Sequence, residues 1–404
     1  MSERTTAALP ALPTELLFII GSYLRDDELV GITGASTLLR QIFLHRRYAM
    51  IEFSGSVKHI AGCLIPLFSQ DADRISIDMR KLIQTFTRTV TIRIWYQPYV
   101  AGRWPLRFAT KDLQHFGTLL HSIDGLNGVN ISLSFPCHRD RIAFNKALRK
   151  AGWWYTWIRH PLKPLCSLTF LDNPVVSNFN AVFRCFHPAA LGAVRLPAGL
   201  NRKYYVKLSE SMRARDLRAL HVDRTAYNQA RHVVPSLDDN FLGEIRKDFP
   251  RLEKLILHED TPYLTIDSDF RSWPFGLVWF DDQAAFDLNI DKLVFEVSRM
   301  PRLRRFAFTL WYVRLHGHLV PHDWEDYKGI YRPKTMVEMD KFYIDKLVTV
   351  IMTRVPALEE LCVSSNHPTF YRGTRRDDQI HVERESRHNL GEEKRFPSLV
   401  LDLK

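Results

Sequence analysis

The hydrophobic positions of this chain change their period several times, and each change marks an element. From Leu12 onward Leu16, Ile20 and Leu24 recur every four residues, which sets them along one side of a helix, with Leu17 and Ile19 widening the apolar cover. Pro13 presets φ where that helix begins and lacks a donor that would go unpaired there, while Glu15 suits the positive end of the helix dipole. After Arg25-Asp26-Asp27, a turn with two candidate N-caps, Leu29, Ile32, Ala35, Leu39 and Phe43 follow in steps of three or four and predict one or two more short helices. An amphipathic hairpin of this kind needs something to cover its apolar side.

Further on, the chain repeats a phrase. Phe249-Pro250-Arg251-Leu252 leads into Leu255 and Leu257, Met300-Pro301-Arg302-Leu303 into Phe306 and Phe308, and Val355-Pro356-Ala357-Leu358 into Leu361 and Val363; a fourth copy begins at Phe396-Pro397-Ser398-Leu399. Each is an apolar residue and Pro, then Leu two residues later, then an alternating run that reads as a strand. Helical spacing precedes the first three: Phe241, Leu242, Ile245 and Phe249; Leu293, Val294 and Val297; Phe342, Leu347, Val350 and Ile351. The unit is helix, Pro-marked stop, strand. No single unit covers its own apolar face, so such units stack. The Pro-to-Pro spacings are 51, 55 and 41 residues, far above the roughly 20 to 29 residues of regular leucine-rich repeats, so the repeats carry insertions.

Earlier segments follow the same plan. Leu113, Phe116, Leu119 and Leu120 share a helical face, and Val129, Ile131, Leu133 and Phe135 alternate as a strand; Thr89 to Trp95, Leu165 to Leu171 and Leu217 to Val222 are further strand candidates. The expected fold class is α/β: a short all-α segment over 9–50, then an irregular leucine-rich-repeat-like α/β solenoid over 51–404. An unrelated α/β domain with a partly parallel sheet shares the same alternation. Arg372 to Arg395 holds few apolar residues among many charges and predicts a mobile insertion, because such a stretch cannot offset its ordering entropy by burial.

Composition narrows the chemistry. At 404 residues, 46% hydrophobic and 25% charged, the chain is globular, and the apolar run from Leu16 to Ile20 is too short to span a bilayer. A soluble, intracellular protein is expected, with no membrane partner. Five scattered cysteines, Cys63, Cys137, Cys166, Cys185 and Cys362, with no Cys-x-x-Cys pair, read as buried free thiols. The segments 139–163 and 195–218 carry +6 and +5, which together equal the whole net charge of +11. With Trp153, Trp154, Tyr155 and Trp157 inside it, the basic segment 139–218 suits phosphates and stacked bases, or an acidic protein patch. No RNP, KH or zinc-finger signature accompanies it, and nucleic acid is not the expected partner.

Catalytic motifs are missing from the sequence: no Gly-x-Ser-x-Gly, no phosphate-cradling Gly-x-x-x-x-Gly-Lys, no His-Glu-x-x-His. His316, His318, His322 and Asp323 could ligate a divalent ion, and His258, Glu259 and Asp260 could form an acid/base pair, but flexible loops and strand ends collect such residues. No cofactor, no metal and no catalysis are expected.

The stretch from Leu12 to Phe43 resembles an F-box. Leu12, Pro13, Glu15, Leu16, Ile20, Tyr23, Leu24, Glu28, Leu29, Ile32, Ser36 and Arg40 stand at the family's motif positions, with departures at Glu28, Ala35 and Thr37. The long, aromatic-rich remainder resembles that of fungal F-box proteins. The resemblance implies a substrate-recognition subunit of a Skp-cullin-F-box ubiquitin ligase. It would dock on the Skp adaptor, and through it on cullin, by Leu12, Pro13, Leu16, Ile20, Leu24, Leu29 and Ile32. An unknown protein substrate would sit on the solenoid, with His258, Glu259, Trp311 and Tyr312 as candidate contacts, and the chain would be a monomer outside the complex. A non-catalytic scaffold or nucleic-acid-associated protein using the basic segment is the other reading.

Overall fold

The structure, a computed structural model, describes residues 12–24, 26–69, 73–95, 110–134, 142–144, 146–147, 167–170, 191–196, 216–225, 239–260, 277–280, 283–309, 312–315, 342–364 and 369–386. The chain divides into two compact units, Met1–Leu165 and Cys166–Lys404.

In the first unit three helices precede the strands: α1 (Thr14–Tyr23), α2 (Asp26–Ala35) and α3 (Thr37–Arg47). Pro13 lies one position ahead of α1, with extended backbone, and its carbonyl accepts from the Leu17 amide at 3.1 Å. The second apolar series resolves into two helices because Ser36 interrupts it: extended at this residue, the chain restarts with Ser36 Oγ accepting from the Leu39 amide.

Next come β1 (Met50–Gly55), α4 (Val57–Phe68), α5 (Arg74–Phe86), β2 (Thr89–Trp95), α6 (Thr110–Ser122) and β3 (Gly128–Ser134). The strands are parallel in the order β1-β2-β3. The register sets Val90, Ile92 and Ile94 beside Val129, Ile131 and Leu133, all buried, so like stacks on like across the sheet. Leu113, Phe116, Leu119 and Leu120 of α6 are buried as their spacing predicts. Ser56 and Asp73 cap α4 and α5, and the Ser76 amide that donates to Asp73 at 2.7 Å holds this exposed carboxyl below its usual pKa. The sequence pattern separates residues 9–50 from the rest, whereas the compact division falls at 165/166; α3 packs on α5, α5 on α4 and α4 on β1, which ties the opening helices to the strands.

The second unit carries β4 (Ser167–Phe170), β5 (Ala193–Leu196), β6 (Ala219–Thr225), α7 (Asp239–Asp248), β7 (Lys254–Asp260), β8 (Leu277–Phe280), α8 (Gln283–Ser298), β9 (Arg305–Thr309) and β10 (Tyr312–Leu315). A π-helix (Phe342–Val348) continues into α9 (Thr349–Arg354), followed by β11 (Glu360–Ser364), β12 (Thr369–Arg376) and β13 (Gln379–Ser386). Strands β4-β5-β6-β7-β9-β11 are parallel neighbours in that order, β12 and β13 continue the sheet antiparallel, and β8 pairs with β10 apart from it. The fold is mixed α/β with a large, mostly parallel sheet.

The Pro phrase sets this register. In its three described copies the residue before Pro accepts from the Leu amide: Phe249 from Leu252 at 3.2 Å, Met300 from Leu303 at 3.1 Å and Val355 from Leu358 at 3.1 Å. Pro is exposed at the second position of each turn, where its fixed φ suits the geometry, and the flanking apolar residues are buried. Each strand then starts four residues after its Pro, and Lys254, Arg305 and Glu360 are partners across the sheet. Two consecutive amides at each start converge on one carbonyl, that of the residue just ahead of the neighbouring strand: Arg218 O receives Glu253 and Lys254, Glu253 O receives Arg304 and Arg305, and Arg304 O receives Glu359 and Glu360. The fourth copy, at Pro397, lies outside the described residues.

Two expectations are corrected. The charged stretch from Arg372 contains most of the β12–β13 hairpin up to Ser386, and its remaining positions lie outside the described residues. The hairpin turns on Asp377 and Asp378, both at positive φ as a tight turn between strands requires. Its innermost charge is paired: Arg372, almost wholly buried, donates from Nε to Glu385 at 2.7 Å and from Nη1 to Glu360, and Arg305 stands 3.5 Å from Glu360. Composition predicts mobility only while Arg372 and its two carboxylates are counted as unpaired. Secondly, Cys63 is exposed on α4; Cys362 is buried, and burial pushes its thiol pKa well up, leaving it inert at neutral pH. The other three cysteines lie outside the described residues. No described helix is long and apolar enough to cross a membrane.

Candidate docking surface

The opening helices close a small core of their own. Leu17, Leu29, Leu39 and Phe43 are buried in it, with Leu12, Leu24, Ile32 and Ile42 packed around them. Gly21 permits the approach of α1 to α3, since a Cβ there would stand 2.4 Å from Phe43 Cε1. Basic residues of α3 satisfy the carbonyl ends of the other two helices. Arg46 Nη2 donates to Leu24 O at 2.8 Å and Arg40 Nε to Thr33 O at 2.9 Å, while Arg47 Nη1 donates to Thr33 Oγ1 at 3.0 Å; Thr33 Oγ1 in turn donates to Leu29 O. Cations placed there also offset the negative helix ends.

Part of what this core leaves outside is apolar. Leu16 is 46% exposed, Ile19 55% and Tyr23 84%, and Ile20 is partly exposed. At about 100° per residue, positions 16, 19, 20 and 23 fall within one arc of α1 about 100° wide. Val30 of α2 is 52% exposed, beside Gly31 and Gly34, where an added Cβ would meet nothing within 4 Å.

Of the seven expected anchors, Pro13 and Leu16 are exposed, Leu12, Ile20, Leu24 and Ile32 are partly buried, and Leu29 is sealed at 0% exposure. Leu29 is therefore corrected from anchor to core. A strict four-residue step drifts about 40° per step, so Leu24 has rotated from the Leu16 line toward the side where Leu17 is buried. The residues that take its place on the exposed arc are Ile19 and Tyr23, which a 3.6-residue period picks out from the sequence.

The glycines divide by the same logic, and substitution separates them. Gly21→Ala is expected to destabilise the chain by about 1–3 kcal/mol, because the ring of Phe43 has nowhere to move within a filled core. Gly31→Ala is expected to stabilise it by about 1 kcal/mol, since a helix interior gains from Ala where space is open. Urea denaturation of the two variants checks both signs.

The expected substrate contacts are not gathered on one sheet. His258 lies in β7, opposite Asp223 by register and edge-on to His221 with ring centroids 6.2 Å apart, and Glu259 pairs through its backbone with Arg224. Tyr312 begins β10, in the separate two-stranded pair, and Trp311 lies outside the described residues. His316, His318, His322, Asp323 and most of the basic segment, including its tryptophans, also lie outside them. Among the described residues no three His, Cys, Asp or Glu side chains are grouped to hold a metal.

The chain matches no protein-family model, and it matches no curated protein sequence.

Proposed function

We propose that this chain is the substrate-recognition subunit of a Skp-cullin-F-box ubiquitin ligase, working inside the cell without catalysing a reaction itself. The opening helices are its F-box. They dock on the Skp adaptor through Pro13, Leu16, Ile19, Ile20 and Tyr23 of α1 and Val30 of α2. The observation that carries this reading is the division of labour within α1–α3: one set of aliphatic side chains closes an internal core, and a second set, at helical spacing, faces outward. A surface helix that only covered its own protein would put polar residues there. Motif support comes from residues 12 to 43, where Ser36 and Arg40 hold the α3 start and the α2 end together.

The rest of the chain we read as an irregular leucine-rich-repeat-like solenoid that holds the target protein. Three helix–Pro turn–strand units pair in chain order with one shared register, and the convergent amides at each strand start recur from unit to unit. Such stacking yields a broad continuous surface suited to protein recognition.

The direct test is co-expression of the full chain with a Skp adaptor, followed by size-exclusion chromatography. A one-to-one complex is expected. Separate elution of the two chains at micromolar concentration overturns the proposal.

A further inference from the structure

Strand β13 ends the sheet. Among the described residues it pairs with β12 alone, so alternate residues turn their backbone N–H and C=O groups outward. The β12–β13 ladder runs from Thr369↔Ser386 to Arg376↔Gln379 without a bulge, and β13 contains neither Pro nor Gly. Folded proteins blunt their edges with bulges, prolines, short strands or inward charges, because an open regular edge is a template for another strand. Bulge and proline are missing from this one, and at eight residues it is not short.

The side chains decide what can pair there. By register, His381, Glu383 and Glu385 share the face of Arg372, while Ile380 and Val382 share that of Gly373, which meets Val348 and Met352. Glu385 is held by Arg372. His381 and Glu383 are exposed and form no ion pair with a described residue, and Ile380 and Val382 remain partly exposed. One face of the edge thus offers an imidazole that donates and a carboxylate that accepts, two positions apart, and the other offers an apolar side chain between them.

We propose that β13 binds β13 of a second copy, antiparallel, about a two-fold axis at Val382. An axis that relates two antiparallel edges stands normal to the sheet and keeps like faces together, so each residue opposes one an even number of positions away. Centred on Glu383, the pairing sets that carboxylate against itself; centred on His381, it joins only residues 379–383. Centred on Val382, it joins 379–385, places His381 opposite Glu383 of the partner subunit twice, and brings the two Val382 side chains together on the other face. A foreign apolar strand would leave both polar groups unmatched, so the edge selects its own copy. A dimer departs from the monomer expected of the sequence, and it does not rest on what α1 docks with, because β13 belongs to the second unit.

One strand pair is a small interface, so the dimer should dissociate on dilution. Sedimentation velocity of the intact chain from about 1 to 200 µM should show monomer passing to dimer. Val382→Lys, which sets two cations side by side at the axis, should leave monomer throughout. His381→Glu and Glu383→His should each weaken association at least about fivefold, since each change acts twice across the axis. Both changes together restore an imidazole opposite a carboxylate and should return the wild-type curve. These side chains are exposed or partly so, and melting temperatures within about 2 °C of wild type verify the fold. Monomer at every concentration, a dimer indifferent to Val382→Lys, or a double variant as weak as the single ones overturns the proposal. So does a dimer lost on replacing Leu16, Ile19 and Tyr23 by serine, which would make the outward face of α1 the contact.

Discussion

Replacing Leu16, Ile19 and Tyr23 together by serine is expected to abolish co-purification with the Skp adaptor while moving the melting temperature by no more than about 2 °C, since exposed substitutions away from special features change stability little. Fully burying a large apolar side chain is worth about 1.5–3 kcal/mol, and these three are roughly half to four-fifths exposed in the free chain. Their combined loss then exceeds about 3 kcal/mol, or more than a hundredfold in affinity. Leu24→Ala is the control: it loosens the packing around Leu17 and Phe43, so it should lower stability and affinity together. Pull-down of purified variants, each checked by circular dichroism, separates the two. Full adaptor binding by the triple variant would mean that the outward face of α1 is not the docking face.

Arg372→Leu is expected to be among the most damaging single changes in the second unit. Arg372 is the shared donor for Glu360 and Glu385, and its guanidinium also lies 5.2 Å from the Phe370 ring centroid. Removing it leaves two carboxylates largely out of water without their main cation, a loss of about 3–5 kcal/mol for a broken buried pair. The pH dependence has a definite sign. Burial raises the Glu360 pKa above its usual 4.5 even with Arg372 present, so the protonated form favours the fold, a contribution complete below 4.5 and lost as pH rises through the higher folded value. Without the arginine that pKa climbs further. The variant should recover stability relative to wild type as pH falls from 8 toward 4.5, read from urea midpoints at each pH. A deficit that does not change with pH would point to lost packing instead of stranded charge.

The sequence spelled out some of this fold almost residue by residue. Aligning the Pro phrases puts Leu255, Phe306 and Leu361 in one column, and those residues are sheet partners. The turn chemistry is local, so the pattern could reveal it. By contrast β1, β5 and the helices α4 and α5 were not anticipated, although Asp73 three residues ahead of Ser76 is a legible cap. In α4 Gly62 and Pro66 mask a helical stretch, because Pro66 stands in the last turn and cannot donate to the carbonyl of Gly62 four residues before it. The hairpin was hidden for another reason. Its stability comes from partners such as Glu360, twelve residues from Arg372 in sequence, and no local composition contains that information. For the outward arc of α1, the apolar residues were visible but their sorting was not: whether Leu16 or Leu29 faces outward depends on where α3 lies, and Gly21 and Phe43 settle it.

The four-residue count from each Pro to its strand works as a ruler, and it separates two kinds of length change. Adding or deleting residues between β7 and α8 leaves the ruler untouched and every column in place. Losing one residue between Pro301 and Arg305 would instead turn Phe306 and Phe308 to the opposite side of the sheet. A change of length is therefore expected to cost little in the long connections and much within the few residues that follow each proline, so loops can be grafted or trimmed in those connections without rebuilding the sheet beneath them.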